Sequence, residues 1–180
     1  MKAFFATLVA LVAAGLIGAY VFISMGAMPA NADAPPSALE SWAAKRSLHA
    51  TIAREAPKGA PPLKPADETL LAGVRIYAEN CAVCHGAADG RAANIASGLY
   101  QHAPQLATHG VEDDEEGETF WKVYHGIRLT GMPSYHGALS ERQIWQVTLF
   151  LKHMDSLSPI VKKAWDAVPS QAPTIKPDAR

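Results

Sequence analysis

The chain's two cysteines lie three residues apart and are followed at once by a histidine, in Cys81-Ala-Val-Cys84-His85. A disulfide-stapled scaffold is thereby excluded. Four readings of the pair remain. A thioredoxin-like dithiol needs a βαβ setting, and no segment here alternates with period two. A structural zinc site needs four closing ligands, and there is no second Cys pair. Two inert cysteines sharing a turn by chance is the bland alternative. The fourth is the attachment signature of a c-type haem. Two thiols at this spacing near a helix end can add to the two vinyl groups of one porphyrin. His85 then places an imidazole under the iron as proximal ligand. The expectation is one covalently bound haem c, with Cys81, Cys84 and His85 holding it.

An iron held by one imidazole needs a sixth ligand or stays open. Thr130-Gly131-Met132-Pro133 offers a thioether on a Gly/Pro-bounded loop between two predicted helices. Of the other methionines, Met1, Met25 and Met28 belong to the first apolar stretch and Met154 to the last core helix. Met132 is therefore the expected second metal ligand, against the alternative of a loop residue filling a gap. The rivals are His102, His109, His125, His136 and His153, with His125 and His136 nearest the loop. Ligation by both His85 and Met132 leaves no open position. The activity expected is then one-electron transfer, by a carrier rather than an enzyme, with no small-molecule substrate. An apolar wall of Leu99, Leu106, Phe120, Tyr124, Ile127, Leu129 and Tyr135 would exclude water. Trp121, Arg128 and Tyr135 are candidate donors to haem propionates. A haem enzyme or gas sensor with a labile Met132, His136 assisting, is a weaker alternative.

Charge is unevenly placed. No Asp, Glu, Lys or Arg occurs between residues 3 and 32, although the chain has 16 basic and 17 acidic side chains. A net charge of −1 gives no cationic surface for nucleic acid. The apolar run Ala3–Ile23 has the roughly 20 residues that a spanning helix needs, whereas a secretory signal carries about 7–15. Length favours a retained anchor. Ala30-Asn31-Ala32 after Met28-Pro29 also reads as a cleavage site, so a cleaved signal is the alternative, and a buried soluble helix a third. Either of the first two carries the remainder across the membrane.

The rest reads as helices. Ser37–Ala56 is helical and free of Gly and Pro, and Lys58–Pro65 is a stiff linker. Asp67 is the expected N-cap of a helix bearing Leu70, Val74, Tyr77 and Cys81 on one face. Gly86–Ser97 reads as loop. Six acids in Glu112–Glu118 precede a helix over Thr119–Ile127 and suit its positive end, or dock a basic partner. Ser140-Glu-Arg-Gln143 is a capping box opening a helix with Ile144, Val147, Thr148 and Leu151 inward. The tail is expected to fray after Val168. The boundaries expected are 1–32 for anchor or signal, 33–67 for a linker with a short helix, 68–157 for the haem domain, and 158–180 for a short helix and flexible tail.

Gly73-x-x-x-Tyr77, then Cys81-x-x-Cys84-His85, Pro104-Gln-Leu106, Thr130-Gly-Met-Pro133 and Ile144-Trp145 together resemble class I monohaem cytochromes c. The likeness covers about residues 68–157. It is greatest to membrane-anchored bacterial types, such as the cytochrome domain of cbb3-type oxidase subunit III. The resemblance implies an all-α class I cytochrome c fold, three to five helices around a covalent haem, behind an N-terminal transmembrane helix. It implies that Pro104 offers its carbonyl to the ring N–H of His85. Gly73 would let the first helix of the domain cross the last closely, with Tyr77 near Trp145 or Phe150. The location implied is the bacterial inner membrane, with a single-pass anchor and a periplasmic haem domain, or a soluble periplasmic protein after cleavage. The partners implied are redox proteins there, as a free carrier or as the haem subunit of a terminal oxidase or dehydrogenase. The oxidase subunit often carries two haem motifs, and this chain has one.

Overall fold

The computed structural model describes residues 1–170. Among them are eight helices and no strand. They form two units, residues 1–35 and the remainder from Pro36.

The first unit is α1, Lys2–Ser24, followed by turns. At 1.5 Å per residue its 23 residues extend about 35 Å, enough for a hydrocarbon core of ~30 Å. It is apolar on every side and none of its residues is buried in the protein. This is the composition of a membrane anchor or of a signal peptide.

The second unit begins with α2, Ala38–Glu55. Ser37 caps it, its hydroxyl accepting from the Glu40 N–H at 3.2 Å. Leu48, Ile52 and Ala56 form a small apolar cluster with Trp121. The linker then lies directly on α6, Glu116–His125. Gly117 permits this, because a Cβ there would run into the Pro57 carbonyl.

The core is a crossing of α3, Asp67–Asn80, with α7, Glu141–Lys152. Leu70, Val74 and Tyr77 of α3 meet Ile144, Val147, Phe150 and Leu151 of α7, all buried. Gly73 lies where the helices touch. A Cβ on it would sit 2.6 Å from Phe150 Cβ and collide with the Gln146 carbonyl. Tyr77 packs edge-on against Phe150 at 5.7 Å between ring centres, whereas Trp145 stacks on Phe120 at 4.2 Å. The capping box is formed in full by Ser140 and Gln143.

Two local expectations are corrected. Ala66, not Asp67, is the N-cap of α3. Asp67 is the first helical residue, and its carboxylate accepts from the Ser158 hydroxyl at 2.8 Å. A partner remote in the chain has taken the side chain that would have capped. Gly86–Ser97 is not wholly loop, since Asn94–Ser97 forms a helical turn, α5.

Ser158 in turn caps α8, Pro159–Asp166. This helix belongs to the core. Val161 and Trp165 are buried, and the Trp165 ring meets those of Tyr77 and Phe150 at 5.2 and 5.4 Å. Val168, after which fraying was expected, is itself buried. The part of the expected flexible tail from 171 onward lies outside the described residues.

The acidic stretch is folded into the structure. Asp114 pairs with Lys122 at 2.6 Å, and the Lys152 ammonium donates to the carbonyls of Glu112 and Asp114. Glu116 and Glu118 occupy the first turn of α6, where its dipole favours them.

Candidate haem site

The thiol pair lies on one tight turn. Chain continues from α3 through Cys81 into α4, Ala82–His85, and stops at Gly86. Gly86 has φ +76°, and a Cβ there would press on the Gln105 side chain and on the Arg91 carbonyl. Within the turn, the Cys84 and His85 N–H groups both donate to the Cys81 carbonyl, at 3.0 and 2.9 Å.

A second segment grips this turn from outside. The His85 ring nitrogen Nδ1 lies 2.9 Å from the Pro104 carbonyl oxygen. That geometry makes Nδ1 the protonated donor and leaves Nε2 with its lone pair. The Leu106 N–H donates back to the His85 carbonyl at 3.2 Å. Gln105 Nε2 donates to the Cys84 carbonyl at 3.1 Å. From the core side, the Tyr77 hydroxyl donates to the Gly86 carbonyl at 2.8 Å and the His85 carbonyl at 3.2 Å. Burial pushes the Tyr77 phenol far above its ordinary range, so it stays a donor. Tyr77→Phe removes this donor and strands the buried Gly86 carbonyl. The expected cost is about 1–3 kcal/mol, to be checked by chemical denaturation.

Electrostatics discriminates among the readings of the thiols. Burial pushes the Cys81 thiol up to about 12, and Cys84 beside it adds to the shift. A redox dithiol needs the opposite, a stabilised thiolate. Among the described residues no group of three or more His, Cys, Asp or Glu is disposed to hold a metal, so zinc lacks its closing ligands. Burial also lowers the basicity of His85, against the opposing pull of Pro104, which favours the neutral imidazole that binds metal.

The methionine loop runs between α6 and α7. Gly126, at φ +68°, ends α6, and its missing Cβ would sit 2.6 Å from the Pro133 carbonyl carbon. The loop is closed by the Ile127 N–H on the Met132 carbonyl, the Met132 N–H on Thr130 Oγ1, and the Thr130 hydroxyl on the Ile127 carbonyl. Met132 is half-buried and packs on the same apolar cluster as Cys81, Leu106 and Tyr135. The Tyr135 hydroxyl donates to the Asn80 carbonyl at 2.8 Å and so ties this loop to the residue before Cys81. A Cβ on Gly131 would meet Leu99, which places that leucine against the loop.

Several wall and donor residues fall elsewhere. Leu129 is 86% exposed at φ +60°, because the turn that presents Met132 throws the preceding leucine outward. Trp121 faces α2, in the cluster with Ile52 and Ala56. The Tyr135 hydroxyl is already engaged with Asn80. Of the histidines, His102 and His109 are exposed on the surface. His136 Nδ1 pairs with the Ser134 hydroxyl, His153 Nδ1 with the Leu149 carbonyl, and the His125 ring lies against Trp121 and Tyr124. Sequence reasoning missed Gln105 and the Tyr135–Asn80 tie. The place of Gln105 between Pro104 and Leu106 was the only available signal.

Residues 68–151 match the family model of cytochrome c oxidase, cbb3-type, subunit III. This segment is a class I monohaem cytochrome c domain. The match begins in the first turn of α3 and ends within α7, so it contains the helix crossing, the thiol turn and the methionine loop. It covers a little under half of the chain, and α1, α2, the linker and α8 lie outside it. No curated protein matches the chain. A cytochrome c domain works by haem-based electron transfer, and the residues present fit such a group. A thiol pair on one turn, an imidazole with one nitrogen fixed, and a half-buried thioether on a common apolar cluster form the donor set that a c-type haem takes.

Proposed function

We propose that this chain holds one haem c, which Cys81 and Cys84 would bind covalently through thioethers and whose iron His85 and Met132 would ligate. It carries single electrons between redox proteins, tethered by α1 to the bacterial inner membrane with the cytochrome domain in the periplasm. The observation that carries the reading is the His85 ring, fixed through Nδ1 by Pro104 on a turn that Tyr77 and Gln105 also hold.

Bound haem supplies an iron that cycles between Fe(III) and Fe(II). The chain's residues do the rest. Pro104 orients the imidazole and raises its donor strength through the shared proton. The Met132 thioether favours Fe(II) and raises the potential relative to a second imidazole. Leu106, Phe120 and Tyr135 keep water away from the site. With His85 and Met132 both as ligands, the iron would have no open position for a substrate.

A second reading is a haem subunit of a larger membrane oxidoreductase. It is favoured by the matched family being an oxidase subunit. Co-purification of other subunits in mild detergent separates it from the free carrier.

The first test is mass spectrometry and spectroscopy of the mature, membrane-extracted protein. The expected result is one covalent haem, residues 1–32 retained, and a low-spin spectrum in both oxidation states. Cys84→Ala should leave a single thioether, seen as a shifted haemochrome band, or block maturation. A colourless protein with both thiols free would overturn the proposal.

A further inference from the structure

The outward face of α2 has no partner in the structure. Leu39, Trp42, Ala43, Arg46, Ala50 and Ala53 recur at helical spacing on one side of this helix. The opposite side, through Leu48 and Ile52, packs on α6. Leu39 is 72% exposed and Trp42 65%. Arg46 stands within this face, and Lys45 and His49 flank it, all exposed. Of the two acids of the helix, Glu40 flanks the face on its other side and Glu55 lies away from it. Glu40 accepts from the Tyr100 hydroxyl, and Glu55 pairs with Arg54. The face therefore combines a large aromatic, an aliphatic side chain and Arg46, flanked by Lys45 and His49 on one side and by Glu40, engaged by Tyr100, on the other.

A lone exposed Trp or Leu needs no explanation. This pair stands at the start of a helix that follows a membrane-length apolar helix, with only residues 25–37 between them. Fully extended, that link reaches at most roughly 45 Å at ~3.3–3.6 Å per residue. Tryptophan concentrates at the membrane–water interface, and Lys and Arg extend along apolar surface to set their charges among lipid phosphates.

We propose that this face of α2 lies in the headgroup layer of the membrane that α1 enters. Trp42 and Leu39 sit at the acyl boundary, and Lys45 and Arg46 contact anionic headgroups. The inference rests on the tethered reading above. Its consequence is orientation. Because the other face of α2 is fixed to α6, a lipid-bound α2 holds the cytochrome domain in one attitude to the bilayer instead of letting it swing on a flexible tether.

The test uses the full-length, haem-loaded protein in proteoliposomes of phosphatidylcholine with phosphatidylglycerol, made with and without bromine on the acyl chains. Flotation with the vesicles reads the tether. The emission component lost in Trp42→Phe reads α2. The expected result is flotation, a blue-shifted Trp42 component, and its quenching by brominated lipid. Leu39→Glu combined with Arg46→Glu, both at exposed positions, should abolish the quenching while flotation persists. Flotation without Trp42 quenching overturns the proposal and leaves the tether standing. Loss of flotation overturns the tether, and the proposal with it. Trp42 that is shielded from aqueous quencher in native membranes but untouched by brominated lipid also overturns it, and assigns the face to a protein partner.

Discussion

Met132→His lowers the midpoint potential by a few tenths of a volt, a sizeable part of the ~0.8 V over which axial ligands set haem potentials. Imidazole donates more strongly to Fe(III) than a thioether does, so the oxidised state gains. The substitution should leave the fold intact. The loop is held by backbone groups of Ile127 and Met132 and by Thr130 Oγ1, none of which needs the thioether. The Met132 side chain is half-buried rather than locked in the core. Redox titration of the purified variant is the measurement, with its low-spin spectrum as a check on ligation. An unchanged midpoint would show that Met132 is not the ligand and return attention to His125 and His136.

Gly73→Val breaks the helix crossing. Its Cβ would stand 2.6 Å from Phe150 Cβ and against a backbone carbonyl of α7, which a rotamer change cannot relieve. Overpacking of this kind costs typically 1–3 kcal/mol and occasionally more, and a rigid backbone obstacle puts this case at about 3 kcal/mol or above. Against a total stability of about 5–15 kcal/mol, that is a large share. For a domain of this size the melting temperature should fall by roughly 10–20 °C. Gly137→Ala is the control. Nothing lies within 4 Å of its Cβ position, so little change is expected. Thermal unfolding followed by circular dichroism distinguishes the two. Equal melting temperatures for the two variants would mean that the α3–α7 crossing is looser than the structure has it.

The helices were legible where burial imposes a period. Leu70, Val74 and Tyr77, or Ile144, Val147, Thr148 and Leu151, face a common core, and the 3.6-residue repeat records it. Caps formed by near neighbours were legible too, as with Ser140 and Gln143. Asp67 was not, because Ser158, 91 positions later, takes its carboxylate. Trp121 looked like any aromatic beside a cofactor until α2 folded over it. Leu129 matched the apolar pattern of a wall, yet the left-handed turn beneath it points it into solvent.

The chemistry carried by a few consecutive residues was present in the sequence alone. The thiol pair with its histidine, the Gly/Pro-bounded methionine and the apolar first helix are patterns of near neighbours in the chain, so spacing was enough to single them out. Only the folded chain decided which carbonyl meets His85 Nδ1, which phenol holds the turn behind it, and that Tyr135 joins the methionine loop to Asn80. Those contacts join residues from 8 to 55 positions apart. They exist because packing α3 against α7 brings remote segments together, and linear order does not record which groups such packing pairs.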